Sequence, residues 1–222
     1  MIWQRAKFAS YVIGALAALA LADRTTLAQN GVPDPDFEID LDSNSVPDLW
    51  FRGGTTGYVL DDSDGVGTHS VSSQNGGDWR SRAIPVVPGQ TVTFALDYKV
   101  SQGATGTIRT DLRFFTGGSA TGGTSGAFQG EFAPTTDVAT VPQGVWNTLG
   151  PFSVVVPAGQ SPPLVVPNWA DVRLSAGVFG PALTGTVQFD NVRVIIPEPA
   201  TVSMAMLTGL ALLIGRRQRR AN

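Results

Sequence analysis

The sequence predicts an all-β fold, an antiparallel β-sandwich of the jelly-roll type, over residues 29–196. Three observations predict it. Apolar side chains recur every second residue, which places them on one face of a strand. Glycine- and proline-rich turn formers separate these stretches at short intervals. No stretch of the core shows the 3.6-residue spacing of a buried helix face. Many short strands joined by tight turns pack as two sheets over one core.

The clearest element is Gln90–Val100, where Val92, Phe94, Leu96, Tyr98 and Val100 alternate with Thr91, Thr93, Asp97 and Lys99. Thr107–Phe115 repeats the pattern with Ile108, Leu112 and Phe114 against Arg109, Asp111 and Arg113. Ala170–Val178 does so with Val172, Leu174 and Ala176 against Asp171, Arg173 and Ser175. Shorter strands are expected at Leu49–Arg52, Thr56–Leu60, His69–Ser73, Trp79–Ile84, Ala127–Phe132, Trp146–Val156 and Thr184–Ile196. Asn75-Gly76-Gly77, Pro88-Gly89, Gly117-Gly118 and Ala158-Gly159 are the turns between them. Gly117–Gly126 is low in complexity and reads as a flexible loop.

The two ends of the chain read as addresses. Residues 1–28 begin with Arg5 and Lys7, continue with an apolar stretch from Tyr11 to Ala22, and end in small residues suited to cleavage after Ala22 or Ala28. That is the layout of a secretory signal peptide. Residues 197–222 read Pro197-Glu198-Pro199, then an apolar helix over about 201–215, then Arg216-Arg217-Gln218-Arg219-Arg220. The prolines hold the backbone extended outside the helix. The helix spans roughly 22–24 Å, short for a hydrocarbon core of about 30 Å. Arg216, Arg217, Arg219 and Arg220 hold the C-terminus on the cytoplasmic side. This order of motif, span and basic cluster resembles the PEP-CTERM sorting signal. The resemblance implies processing by an exosortase, an integral-membrane enzyme of Gram-negative bacteria. It also implies a transient inner-membrane anchor and a destination at the cell surface or in the extracellular matrix.

Charge and cysteine content narrow the function of the core. The chain has 18 acidic and 15 basic residues. Setting aside Asp23, Glu198, Arg5, Lys7, Arg24 and the four tail arginines leaves 16 against 8, a net charge of −8 for residues 29–196. An acidic exported domain is a poor partner for nucleic acid and a good one for divalent cations. There is no cysteine, so stability comes from the core, with a metal as the available supplement.

The last strand carries a second clue. Val187 and Phe189 share one face, but Val192, Val194 and Ile196 continue the apolar pattern with the opposite parity. A β-bulge at Asp190-Asn191 produces such a slip. Phe189-Asp190-Asn191-Val192 at the end, Asn30-Gly31-Val32-Pro33-Asp34-Pro35-Asp36-Phe37-Glu38 at the start, Pro47-Asp48-Leu49-Trp50 soon after, and Pro88-Gly89-Gln90-Thr91 in the middle occur in an order that resembles carbohydrate-binding modules of the galactose-binding-like superfamily. That resemblance implies a structural Ca2+ between the first and last strands, with Glu38 and Asp190 as the positions carried over. It also implies sugar binding, for which Trp50, Trp79, Trp146 and Trp169 are the candidate stacking platforms.

Catalysis finds little support. His69 is the single histidine, within an expected strand and without a surrounding motif. No cysteine, histidine and carboxylate cluster has the spacing of a metal enzyme. Asp61-Asp62-Ser63-Asp64-Gly65 fails the helical calcium-loop pattern, because no glutamate follows at the required distance, and reads as a solvated turn. Two functions of different class follow: a non-catalytic module that holds an extracellular polysaccharide, or a structural matrix protein with no specific sugar.

Overall fold

The computed structural model describes residues 28–60, 69–159 and 166–197. The predicted signal peptide up to residue 27, the Asp61–Gly65 turn, Glu198, Pro199, the apolar helix at 201–215 and the arginine tail lie outside the described residues. No helix among the described residues is long and apolar enough to cross a membrane. The fold discussed below is that of the unit Asn30–Ile196.

The described residues form β1 (Gln29–Asn30), β2 (Trp50–Gly53), β3 (Thr56–Leu60), β4 (His69–Ser73), β5 (Asp78–Ser81), β6 (Ile84–Pro85), β7 (Thr91–Val100), β8 (Thr107–Gly118), β9 (Thr124–Phe132), β10 (Thr135–Asp137), β11 (Trp146–Val155), β12 (Trp169–Ala176) and β13 (Val187–Ile196). A single 3-10 turn, Val138–Thr140, is capped by the Asp137 carboxylate on the Ala139 amide. The first sheet has the order β11-β7-β13-β4-β3, with β1 beside β13. The second has the order β10-β8-β12-β5-β2, with β9 on β8 and β6 on β12. The ladders joining β2 to β13 are all antiparallel. The predicted all-β sandwich is the observed architecture.

Alternation decides which face of each strand is buried. Phe94 and Leu96 of β7, Val187 and Phe189 of β13, Leu112 and Phe114 of β8, and Val172 and Leu174 of β12 are fully or almost fully buried in one core. Each such side chain contributes about 1.5–3 kcal/mol on leaving water. Phe37 and Trp50 close one end of that core, their rings 4.6 Å apart.

The bulge predicted in the last strand is present. The β13–β7 register shifts between Asp190 and Arg193, and Asn191 sits at φ 49°. The N-terminal segment is sewn onto it. The Val192 amide donates to the Pro35 carbonyl at 2.8 Å. The Asn30 side chain donates to the Val192 carbonyl at 3.0 Å and accepts from the Val194 amide at 3.0 Å.

Three expectations are corrected. Trp79–Ile84 is two strands, because the chain gains a residue on its partner. Arg80 opposes Arg173 and Ile84 opposes Ala170, so four steps on one side match three on the other. The Ser81 hydroxyl accepts from the Val172 amide at 3.0 Å and bridges the gap. Thr184–Ile196 begins as a strand only at Val187, Thr184 forming an isolated bridge to Thr105. The loop expected at Gly117–Gly126 is shorter, residues 119–123 at the end of the β8–β9 hairpin, with Gly117 paired to Ser125 and Gly118 to Thr124.

Candidate functional site

The outer face of the second sheet brings together residues that are far apart in the chain. On β8 the outward positions are Arg109, Asp111, Arg113 and Phe115, and on β12 they are Trp169, Asp171, Arg173 and Ser175. On β5 they are Asp78 and Arg80, and on β2 Phe51, the cross-strand partner of Arg80. Ion pairs join the strands. The Arg113 guanidinium donates to both Asp171 oxygens at 2.8 Å, a bidentate fork. Arg109 pairs with Asp111 at 2.5 Å and with Glu131 of β9. Asp78 accepts from Arg80 Nε at 2.7 Å and from Arg173 Nε at 3.1 Å. Burial pushes the Asp111 carboxyl up, opposed by the Arg109 guanidinium. Burial depresses the Arg173 guanidinium, and the charges of Arg80 and Arg113 add to that effect.

Two structures bound this face. At one end the β8–β9 hairpin lies across it. The Ala83 amide donates to the Gly122 carbonyl at 2.9 Å, Arg82 Nη1 donates to the Thr121 carbonyl at 2.6 Å, and the Thr124 hydroxyl donates to Asp171 at 2.7 Å. Gly118 permits the approach, since a Cβ there would stand 2.9 Å from the Trp169 ring. At the other end Phe179 rests on the guanidinium groups of Arg109 and Arg173, at 4.4 and 4.7 Å. Phe51 and Phe179 are 45% and 42% exposed, so both offer ring surface to solvent.

The four tryptophans divide. Trp50 and Trp79 are 3% and 0% exposed, with indole N–H groups donating to the carbonyls of Asp34 and Ser72. Both fill the core, so the stacking role expected of them is closed to those two. Trp169 is half-buried at the end of the second sheet's outer face, and Trp146 is half-buried on the first sheet beneath Lys99 Nζ at 5.5 Å. They do not share a face. Phe51 and Phe179 escaped sequence reasoning. The parity of β2, with Trp50 inward, marks Phe51 as outward; Phe179 lies in a connection without periodicity.

Of the expected metal positions, Asp190 lies in β13 of the first sheet and Glu38 in the loop between β1 and β2. Asp190 is buried opposite Asp97 in the ladder, its Oδ1 accepting from the Asn191 amide at 2.6 Å. Ser70 follows the Phe189–Val71 pair and shares Asp190's side of the sheet; its buried hydroxyl makes no hydrogen bond. Glu38 faces His69, accepting from its amide at 2.8 Å and meeting Nδ1 at 2.9 Å. Next to these, Asp34 is buried in a loop at φ 50° and accepts from the amides of Glu38 and Ile39. Burial raises its carboxyl from an ordinary 3.8 to about 6, against the lowering effect of those amides. The Tyr58 hydroxyl, which donates to the Phe37 carbonyl at 2.6 Å, is pushed up to about 12 by burial and by nearby carboxylates.

A further acidic group lies in the loop before β2. Asp40, Asp42 and Asp48 each place an oxygen within 4.8 Å of the others. Their carboxylates accept from the amides of Leu41, Asn44 and Ser45. Asp42, Asn44, Asp48 and Arg82 line an open cavity of about 400 Å3. Alternate-residue spacing of oxygen-bearing side chains, Asp40-Leu41-Asp42-Ser43-Asn44, was the available signal for this group.

No protein-family model matches the chain, and no curated relative matches it. Several solved structures are similar to parts of this chain. One, described as CBM4 structure and function, is 19% identical, with 77% of this chain and 99% of that chain covered and a TM-score of 0.47. A xylan-binding domain from CBM 22 is 18% identical over 75% of this chain and 99% of that one, with a TM-score of 0.44. The enzymatically active domain of bacteriophage CBA120 tailspike protein 4 is 15% identical over 75% of this chain, with a TM-score of 0.45. The match covers only 21% of the tailspike chain.

Proposed function

We propose that the chain is a non-catalytic binding protein whose second sheet holds a polysaccharide on its outer face. The observation that carries this reading is the pair of exposed rings, Phe51 and Phe179, flanking a lattice of arginine and carboxylate groups. Aromatic faces stack on the apolar faces of pyranose rings, and charged donors and acceptors bind hydroxyls. Trp169 extends the same face, and Trp146 offers a second, separate contact. The His69 ring meets Glu38 through Nδ1 and stacks on Tyr58 at 4.7 Å. Titration calorimetry of the full-length chain in detergent tests the reading, against a panel of neutral and acidic polysaccharides. At least one saturable interaction is expected, weakened tenfold or more in Phe51→Ala and Phe179→Ala with unchanged melting. Absence of any saturable interaction favours the structural matrix protein instead.

The sorting reading rests on the tail sequence. In this reading the chain is exported, held transiently in the inner membrane by the apolar segment at 201–215, and released to the surface or matrix after an exosortase recognises Pro197-Glu198-Pro199. Glu198→Ala should accumulate as an unprocessed, membrane-held form. C-terminal mass spectrometry showing identical processing of that variant overturns it.

One structural Ca2+ belongs to the same reading, at Asp190 and the Asp34–Glu38 loop. The buried, unbonded Ser70 hydroxyl beside Asp190 fits a hard cation that takes six to eight oxygens. Glu38 joins only if it leaves His69. A ligand that binds only the folded state stabilises by about 2.7 kcal/mol at a hundredfold excess over Kd. Melting should therefore fall by several degrees in chelator and recover with Ca2+; a melt indifferent to both refutes the ion.

A further inference from the structure

We infer that the polysaccharide held by the second sheet carries carboxylate groups, and that Arg80 takes the carboxylate between Phe51 and Phe179. The inference rests on the binding reading above. Most charges on this face are already compensated. Arg113 pairs with Asp171, and Arg109 pairs with Asp111 and Glu131. Around Asp78 the balance differs. One carboxylate, only 9% exposed, serves two guanidinium groups, Arg80 at 2.7 Å and Arg173 at 3.1 Å. Across the face four guanidinium groups meet four carboxylates, and Arg173 also stands opposite Asp111, so Arg80 is set apart by its exposure and not by an excess of charge. The Arg173 side chain is 14% exposed, whereas that of Arg80 is 48% exposed.

The chemistry of Arg80 suits a carboxylate. It engages Asp78 through Nε, so its Nη donors remain for a ligand. A guanidinium presents paired donors in the fixed geometry that a carboxylate accepts bidentately. Its cross-strand neighbours are Phe51 on one side and Arg173, bearing Phe179, on the other. Neighbouring strands lie about 4.8 Å apart, so Phe51 and Arg173, on which Phe179 rests, stand on strands roughly 10 Å apart with Arg80 between them. A uronic acid residue offers a pyranose face for such rings and a carboxylate for the arginine. The core as a whole is acidic, so long-range attraction does not draw a polyanion here. Recognition must come from this local contact, which makes it depend on one side chain.

The test uses the full-length chain in detergent and three acidic polysaccharides: alginate, de-esterified galacturonan and glucuronoxylan. Each is paired with its carboxyl-reduced form, in which the uronic acids are neutral sugars. At least one acidic member should bind tenfold or more tighter than its reduced counterpart. Arg80→Gln should erase that difference, and Arg80→Lys, which keeps the charge and loses the fork, should retain only part of it. Arg173 still serves Asp78 in both variants, and matching thermal melts check the fold. Equal binding of an acidic polymer and its reduced form, or binding of neutral polymers alone, overturns the inference and leaves the binding reading standing. Dextran sulfate binding equally well to wild type and Arg80→Gln, with the uronates behaving likewise, overturns it in favour of nonspecific charge. No binding by any polymer removes both.

Discussion

The two sheets present outer faces of opposite character, although both are built by the same alternation. On β7 the outward side chains are Thr91, Thr93, Ala95, Asp97 and Lys99. On β8 they are Arg109, Asp111, Arg113 and Phe115. The first face is covered at Asp190 by the chain itself, where the N-terminal segment is bonded to the bulge in β13. The second is covered at its two ends, by the hairpin and by Phe179, and open between them at Phe51 and Arg80. A two-residue period determines which side chains leave the core. It does not determine whether the chain returns to cover them. The first face is therefore partly buried by the chain itself, and the second stays open between its ends.

The largest effect that can break this contrast concerns the ion pairs. Asp171 is 4% exposed at its side chain and holds Arg113, 14% exposed, through two bonds. Removing one member of such a pair leaves a stranded charge and costs about 3–5 kcal/mol. Asp97 on the first sheet is 20% exposed and meets the more exposed Arg193 at 3.3 Å. Its loss should cost about 1 kcal/mol or less. Urea unfolding of Asp171→Ala and Asp97→Ala measures both. Equal midpoints would mean that the second face is an ordinary solvated surface and not a buried lattice.

Much of this was legible in the sequence, for physical reasons that also explain the gaps. Alternation placed Leu112 and Phe114 inward and Arg109 and Arg113 outward, since strand side chains have no third direction. The parity slip at Asp190 announced the bulge, because one inserted residue reverses every later side chain. The strand ends within Gly117–Gly126 are not legible in the sequence because these small residues carry no period. Their order comes from bonds made at a distance, from Arg82, Ala83 and Asp171. Tryptophan content suggested platforms, but burial of Trp50 and Trp79 depends on which strand ends meet across the sandwich. Phe179 is similarly invisible, its partners Arg109 and Arg173 being supplied by two different strands.

A second, smaller effect separates the covered end of the first face from the rest of the molecule. Asp34 has a folded pKa of about 6 against an ordinary 3.8. The folded state therefore holds a proton that the unfolded chain has lost between those values. Its contribution is most favourable below pH 3.8 and is lost as pH rises to about 6. A shift of this size corresponds to less than about 3 kcal/mol, part of it screened by solvent at the loop. Asp34→Asn keeps an acceptor for the Glu38 and Ile39 amides and cannot ionise. In chelator, its stability relative to wild type should rise between pH 4 and pH 6. A flat difference would show that Asp34 is solvated and that the N-terminal segment does not seal this end.

The smallest effect tests whether the hairpin is a fixed wall of the second face. Its tip is tied down by three bonds, and the Thr124 hydroxyl to Asp171 at 2.7 Å is the one that a near-isosteric change can remove. Thr124→Val keeps the shape and the strand preference of the residue. Asp171 retains both bonds from Arg113, so no charge is stranded. The expected loss is about 1 kcal/mol, the net worth of one hydrogen bond, and most of it should be local. The Ala83 amide reports on it directly, because its partner is the Gly122 carbonyl at the hairpin tip. Hydrogen exchange at Ala83 should quicken about fivefold in Thr124→Val, while exchange at buried amides of β7 stays as it was. Equal acceleration at both would mean that the hairpin opens only when the whole sandwich does. In that case the second face has no separately moving wall, and the gap at Phe51 and Arg80 keeps one fixed width.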